Sequence, residues 1–306
     1  VALSLRLFSP SGVVAQKSLL RRAERRLAAM GFDVSSDESA LARHERFAGD
    51  DETRLAAIHR TARSGVSIAM ATRGGYGLTR LLDRIDWKLV ARSTERGTRW
   101  VGHSDFTAFQ LAALARGGTR TWAGPMAAYD FGRMAEEHGE KRVEAVDDVT
   151  AACFTEAMDG SLEAVGFRTD PGFEGLDVKG TLWGGNLAMI VSMLGTPHWP
   201  TVKRGILFVE DVNEHPYRVE RMLLQLHQAG VLDAQRAVVI GQISAWQRSP
   251  LDRGYGMKSM LAAVRAATKT PVLSGLPFGH VPTKVTMPVG ARVTLATQGR
   301  EAIIGW

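Results

Sequence analysis

A single cysteine, Cys153, stands in 306 residues. It excludes an internal disulfide framework and any CxxC metal site, and within AACF it reads as a small buried side chain. Long apolar runs are missing too. The longest, residues 187–194, is too short to span a bilayer. No charged-then-apolar leader opens the chain, so the expected location is the cytoplasm. The chain begins at Val1 without a methionine, which leaves room for a trimmed leader. Also absent is any Lys/Arg stripe interleaved with aromatics. The formal charge of +6 is diluted by acids in RRAERR and VERML. It reads as a solvated basic surface with some preference for anionic ligands, not a nucleic-acid groove.

What is present is an ordinary globular composition: 45% hydrophobic and 23% charged residues exclude a disordered chain. The length admits two domains or one large α/β unit. Residues 3–8 form a strand candidate, ended by Ser9-Pro10-Ser11-Gly12. A helix over 16–30 places Leu19, Leu20, Ala23 and Leu27 on one face and Arg21, Arg22, Arg25 and Arg26 on a solvated one. Residues 32–34 make a second strand and 52–64 a second helix. The apolar run 66–72 then leads into Arg73-Gly74-Gly75-Tyr76-Gly77, and the run 100–102 feeds Ser104. Strands alternating with helices, with glycine turns after the strands, predict a doubly wound parallel sheet whose functional groups gather at the carboxyl ends.

The expected division is an α/β domain over 1–158, a linker over 159–172 carrying Asp-Gly and Asp-Pro, and a smaller β-rich domain over 173–306. Strand candidates there are 176–182, 205–209, 237–243, 271–274 and 292–296. One strong helix, Pro216–Gln228, has Asn213 as its expected cap.

The chemistry gathers on few residues. GHSDF places Ser104 at a strand-to-helix turn, where a helix N-terminus can stabilise a developing oxyanion. The pattern departs from G-x-S-x-G at Phe106, and read singly Ser104 is an N-cap. A serine nucleophile needs a base and a group that orients it. His103 is a poor base, because adjacent side chains at a turn diverge. His280 ends the stiff loop GLPFGH but, taken singly, is a loop histidine. Glu210 and Asp211 end the apolar strand in ILFVED, and either one could orient a base or cap a turn. RGGYG reads either as an oxyanion donor or as a phosphate-cradling loop, although it lacks the spacing of the known phosphate motifs.

RGGYG with LLDRIDW, GHSDFTA, GPM, GTLWGGNLAM, EDVNEHPYRVERMLLQL and GLPFGH occur in order, with ARHERFAGDDETRL before them. Together they resemble the L,D-carboxypeptidases (muramoyltetrapeptide carboxypeptidases), which recycle cell-wall peptides in the bacterial cytoplasm. The match runs from about residue 3 to 290 and is weakest over 128–175. The resemblance implies Ser104 as nucleophile, His280 as base and Glu210 as the orienting acid, with the backbone N–H groups of Gly75 and Asp105 as the oxyanion hole. It implies a flavodoxin-like first domain, a β-rich swivelling-type second domain, a homodimer, a murein tetrapeptide as substrate, and neither cofactor nor metal. Arg73, with Gly74 beside it, is the candidate partner for the substrate carboxylate.

Two other readings use the same residues. One keeps the triad but takes a peptidyl- or aminoacyl-nucleotide, as in relatives that confer immunity to microcin-type antibiotics. No insertion for a nucleotide-stacking loop is evident, which ranks it second. The other is a two-domain solute-binding protein, disfavoured by the serine–glutamate–histidine set.

Overall fold

The computed structural model describes residues 2–138, 141–143 and 146–306, with backbone alone at 136–138 and 141–143. Its contacts divide into two units. The first runs to Leu162 and takes back Pro282–Pro288; the second is Glu163–Val281 with Val289–Trp306.

The first unit holds β1 (Ser4–Phe8), α1 (Lys17–Ala29), β2 (Asp33–Ser36), α2 (Asp51–Arg63), β3 (Ile68–Ala71), α3 (Trp87–Glu95), β4 (Arg99–Gly102), α4 (Phe106–Gly117) and β5 (Thr121–Ala123). An antiparallel pair, β6 (Glu136–His138) with β7 (Lys141–Val143), and α5 (Asp148–Asp159) follow. Strands β1 to β5 pair in parallel in the order 2-1-3-4-5. This is the flavodoxin-like arrangement, and its switch point lies between β1 and β3. All four residues of β3 are buried, as a strand covered on both faces requires.

Helix α1 buries Leu20, Ala23 and Leu27 as its periodicity predicts. Its basic face is not merely solvated. Arg22 donates to the carbonyl of Gly132, and Arg26 to those of Phe131 and Arg133. Helix α4, in which Phe106, Phe109, Ala113 and Leu114 recur at the spacing of one apolar face, is buried well beyond that face: every residue from Phe106 to Ala113 is buried. Phe106 stacks on Phe109 at 4.8 Å, and Trp100 meets Phe109 at 5.1 Å and Phe8 at 5.4 Å. Each such pair contributes about 1 kcal/mol beyond its burial, so the turn between β4 and α4 rests on a rigid floor.

The second unit contains β8 (Ala164–Arg168), β9 (Asp177–Asn186), α6 (Leu187–Ser192), β10 (Ile206–Val212), α7 (Pro216–Gln228), β11 (Ala237–Ser244), α8 (Met257–Ala267) and β12 (Val272–Ser274). β13 (Met287–Val289) joins the first sheet beyond β5, and β14 (Arg292–Gln298) and β15 (Glu301–Gly305) return to the second. The second sheet has the order 12-11-10-9-14-15-8. Its β12 to β9 half is parallel and its β9 to β8 half antiparallel. The ten-residue β9 serves both halves, pairing with β14 through Asp177 to Thr181 and with β10 through Leu182 to Asn186. Three helices accompany these strands, of which Pro216–Gln228 is the one that stands out in the sequence, because parallel strands need crossovers. The cap of α7 is His215, not Asn213: its ring accepts from Tyr217 N, and Pro216 occupies the first helical position.

The segment 159–172, expected as a linker, contains β8, and the division falls between Leu162 and Glu163. Pro282–Pro288 belongs with the first unit, whereas the expected division kept 173–306 together. There Thr150 Oγ1 donates to Pro282 O, Lys284 N donates to Thr150 Oγ1, and Lys284 ion-pairs with Asp130. Cys153 is buried, as expected of AACF, and its Sγ accepts from Thr286 N.

Candidate active site

Strand β4 ends in Gly102, and Ser104 follows with φ of +64°. That left-handed conformation costs a non-glycine residue about 1–2 kcal/mol. Ser104 is not the helix cap: α4 starts at Phe106 after Asp105, and no side chain caps it. The ring of His103 is buried with Nδ1 at 2.9 Å from Gly124 O, so it is committed away from the serine.

The RGGYG loop lies directly on Ser104. A Cβ added to Gly74 would stand 2.6 Å from both Ser104 Cβ and Oγ, and 3.2 Å from Asp105 N. A side chain there would displace the hydroxyl, so the glycine is required by this approach. Gly75 follows with φ of +110°. Arg73 turns its guanidinium to the first turn of the chain and donates to Val13 O at 2.9 Å. The Asp105 carboxylate is buried and accepts from Ser11 Oγ at 2.6 Å and Leu78 N at 3.0 Å. Burial pushes its pKa up, against those two hydrogen bonds and the charge of Arg54. Ser104, Asp105, Gly74, Gly75 and Arg73 are thus gathered in the first unit.

In the second unit, Glu210 Oε2 lies 2.8 Å from His280 Nδ1. Glu210 is fully buried near the end of β10, and the His280 side chain is 10% exposed. With Nδ1–H donating to the carboxylate, the lone pair of neutral imidazole sits on Nε2. Glu210, not Asp211, therefore meets the histidine. The Asn186 amide donates to Glu210 Oε1 at 3.2 Å and Asp211 Oδ1 at 3.1 Å. Asp211 Oδ2 accepts from Ala188 N at 2.9 Å. Burial, with the Glu210 charge beside it, pushes the Asp211 pKa up to about 6.

Chemically, one unit presents a hydroxyl beside backbone N–H groups and the other an imidazole oriented by a buried carboxylate. Among the described residues no group of three or more His, Cys, Asp or Glu side chains could hold a metal ion. Nor is any described helix long and apolar enough to cross a membrane. Sequence reading missed Asn186, Ser11 and Arg54. Ser11 had a signal, a turn following a strand end as RGGYG does. Asn186 had a weaker one, in GGN before an apolar helix. Arg54 had only its place in ARHERFAGDDETRL, since an arginine in a charged helical turn reads as solvated.

Known families match both halves of the chain. Residues 5–124 match the LD-carboxypeptidase N-terminal domain, and residues 179–295 the LD-carboxypeptidase C-terminal domain. The murein tetrapeptide carboxypeptidase of Pseudomonas aeruginosa is 28% identical over 296 residues, covering 94% of this chain and 92% of its own. The crystal structure of muramoyltetrapeptide carboxypeptidase from Oxalobacter formigenes is 41% identical, with a TM-score of 0.87 over 99% of each chain. The microcin C7 self immunity protein bound to aspartyl sulfamoyl adenosine shares the fold, with a TM-score of 0.84 over 100% of this chain and 96% of its own at 21% identity. Both domain models and a 41% identical relative of equal extent place the chain in the LD-carboxypeptidase family of serine peptidases.

Proposed function

We propose that this protein releases the terminal D-alanine from murein tetrapeptides by covalent serine catalysis. Ser104 Oγ attacks the carbonyl joining the L-centre of the diamino acid to D-Ala, and His280 Nε2 takes its proton. The tetrahedral oxyanion is held by the N–H groups of Gly75 and Asp105. His280 then protonates the leaving amine, and water activated by the same imidazole hydrolyses the acyl-enzyme. Glu210 keeps Nδ1 protonated and stabilises the imidazolium. Arg73 supplies N–H donors for the substrate carboxylate beside Gly74.

The observation that carries this reading is the 2.8 Å bond from His280 to the buried Glu210. It is the base-and-orienter pair that an activated serine requires. The strained φ of Ser104 supports it, since such conformations cluster at functional positions. The names of the relatives supply the substrate class. The cytoplasmic location and the homodimer rest on the family resemblance, and cell fractionation and light scattering test them.

The deciding assay is D-Ala release from free tetrapeptide, with and without a chelator. The wild-type protein turns over, Ser104→Ala does not, and EDTA has no effect. Full turnover by Ser104→Ala, or activity lost to EDTA and restored by zinc, overturns the mechanism. Turnover of a peptidyl-nucleotide in place of the tetrapeptide overturns the substrate assignment.

A further inference from the structure

Arg54 lies in the first turn of α2 and is nevertheless fully buried. Its Nη1 donates to Pro10 O at 3.2 Å and Gly77 O at 2.9 Å, and its Nη2 pairs with Asp51. The two carbonyls belong to different turns, one after β1 and the other in the RGGYG loop after β3. The Asp105 carboxylate bridges the same two turns through Ser11 Oγ and Leu78 N. Between these ties, Gly12 N donates to Gly74 O at 3.1 Å. The loop is seated on the guanidinium: a Cβ on Gly77, at φ of +139°, would stand 2.6 Å from Arg54 Nη1. The other side of Arg54 faces the Phe47 ring at 4.8 Å.

Packing alone would be served at lower cost by apolar side chains, since a buried charge loses its hydration. A planar fork of donors does what an apolar side chain cannot. It fixes two backbone carbonyls relative to each other. The pinned loop is the one whose Gly74 contacts Ser104 and whose Gly75 N–H is assigned above to the oxyanion.

From this we infer that Arg54 and the Asp105 carboxylate are positioning residues for the oxyanion hole, holding the RGGYG loop so that the N–H groups of Gly75 and Asp105 address the same oxygen. The inference rests on the proposed serine mechanism. Asp105 acts twice, through its backbone N–H and through its side chain. A side-chain substitution there leaves the N–H in place, so its effect reports on loop placement.

The test compares Arg54→Met, Asp105→Asn and Ser11→Ala with wild type and Ser104→Ala in the D-Ala release assay. It also measures affinity for a tripeptide boronate, in which boron replaces the scissile carbonyl carbon so that its serine adduct puts an oxygen in the hole, and for the tripeptide product. In Arg54→Met, kcat falls about a hundredfold, the cost of misplacing one oxyanion donor. In Ser11→Ala, which removes one hydrogen bond, kcat falls about tenfold. KM and tripeptide affinity stay within about twofold, and boronate affinity falls in step with kcat. Asp105→Asn, keeping one acceptor oxygen, lies between the two. Folded variants that lose thermal stability yet keep kcat and boronate affinity overturn the inference, as does a rise in KM at constant kcat. If Arg54→Met does not fold, Ser11→Ala and Asp105→Asn decide on the same criteria. Turnover by Ser104→Ala would instead refute the serine mechanism, a result no clamp variant can mimic.

Discussion

Glu210 and Asp211, neighbours on β10, share one donor, the side-chain amide of Asn186. Consecutive strand residues ordinarily face opposite sides of a sheet. Here the β10–β11 register shifts between Val209 and Asp211, and such an irregularity re-aims side chains. Asn186 is the register partner of Glu210 on β9. One carboxylate consequently reaches His280, while the other holds the start of α6.

That pairing has a pH signature. The Asp211 pKa is raised to about 6 in the folded state from 3.8. The folded protein therefore binds the extra proton between those values, and the contribution of Asp211 to stability falls as pH rises from about 4 to about 6. The rise is worth roughly 3 kcal/mol. Urea unfolding of wild type against Asp211→Asn across this window should show the slope reduced in the variant. Equal slopes would assign the titration elsewhere.

Removing the charge from Glu210 leaves its shape but not its acceptor strength. Glu210→Gln should lower kcat by about a thousandfold or more with little change in KM, as for orienting carboxylates elsewhere. His280→Ala should cost at least as much, and the double variant little beyond it, since members of one catalytic unit are not additive. Steady-state kinetics on the tetrapeptide checks both. Additive losses would show that the pair does not act as a unit.

Strain at Ser104 should be recoverable as stability. At φ of +64°, glycine is unstrained and alanine is not. Ser104→Gly should be more stable than Ser104→Ala by about 1 kcal/mol, and both inactive. Thermal unfolding of the two variants compares them without any assay of activity. A Ser104→Ala protein equal to or more stable than Ser104→Gly would contradict the strained turn.

The Lys284–Asp130 pair is buried on both sides, and Asp130 Oδ2 also accepts from Met126 N at 2.7 Å. Lys284→Met strands the carboxylate and should cost about 3–5 kcal/mol. Lys284→Met with Asp130→Asn removes both charges and should recover much of that loss. Urea titration of the three proteins measures the coupling, and a double variant no more stable than the single one would refute it.

The first sheet was readable because buried parallel strands are short apolar runs and glycine turns mark their ends, as in IAMA before RGGYG. β8 was not. Its AVGFR buries only Val165 and Phe167, and it pairs with a strand more than a hundred residues away. α4 suggested one apolar face because its small and polar members, Thr107, Ala108 and Gln110, give no hydropathy signal for the burial they undergo.

Local sequence alone determined the alternation of strands and helices, the glycine loop after β3 and the turn that carries Ser104, since each follows from residues a few positions apart. Tertiary structure decided what depends on distant partners. Glu210 rather than Asp211 meets a histidine 70 residues away, and Arg54 turns inward because two carbonyls from separate turns wait for its donors. No periodicity encodes such meetings; they exist only once the sheets have brought the strand ends together.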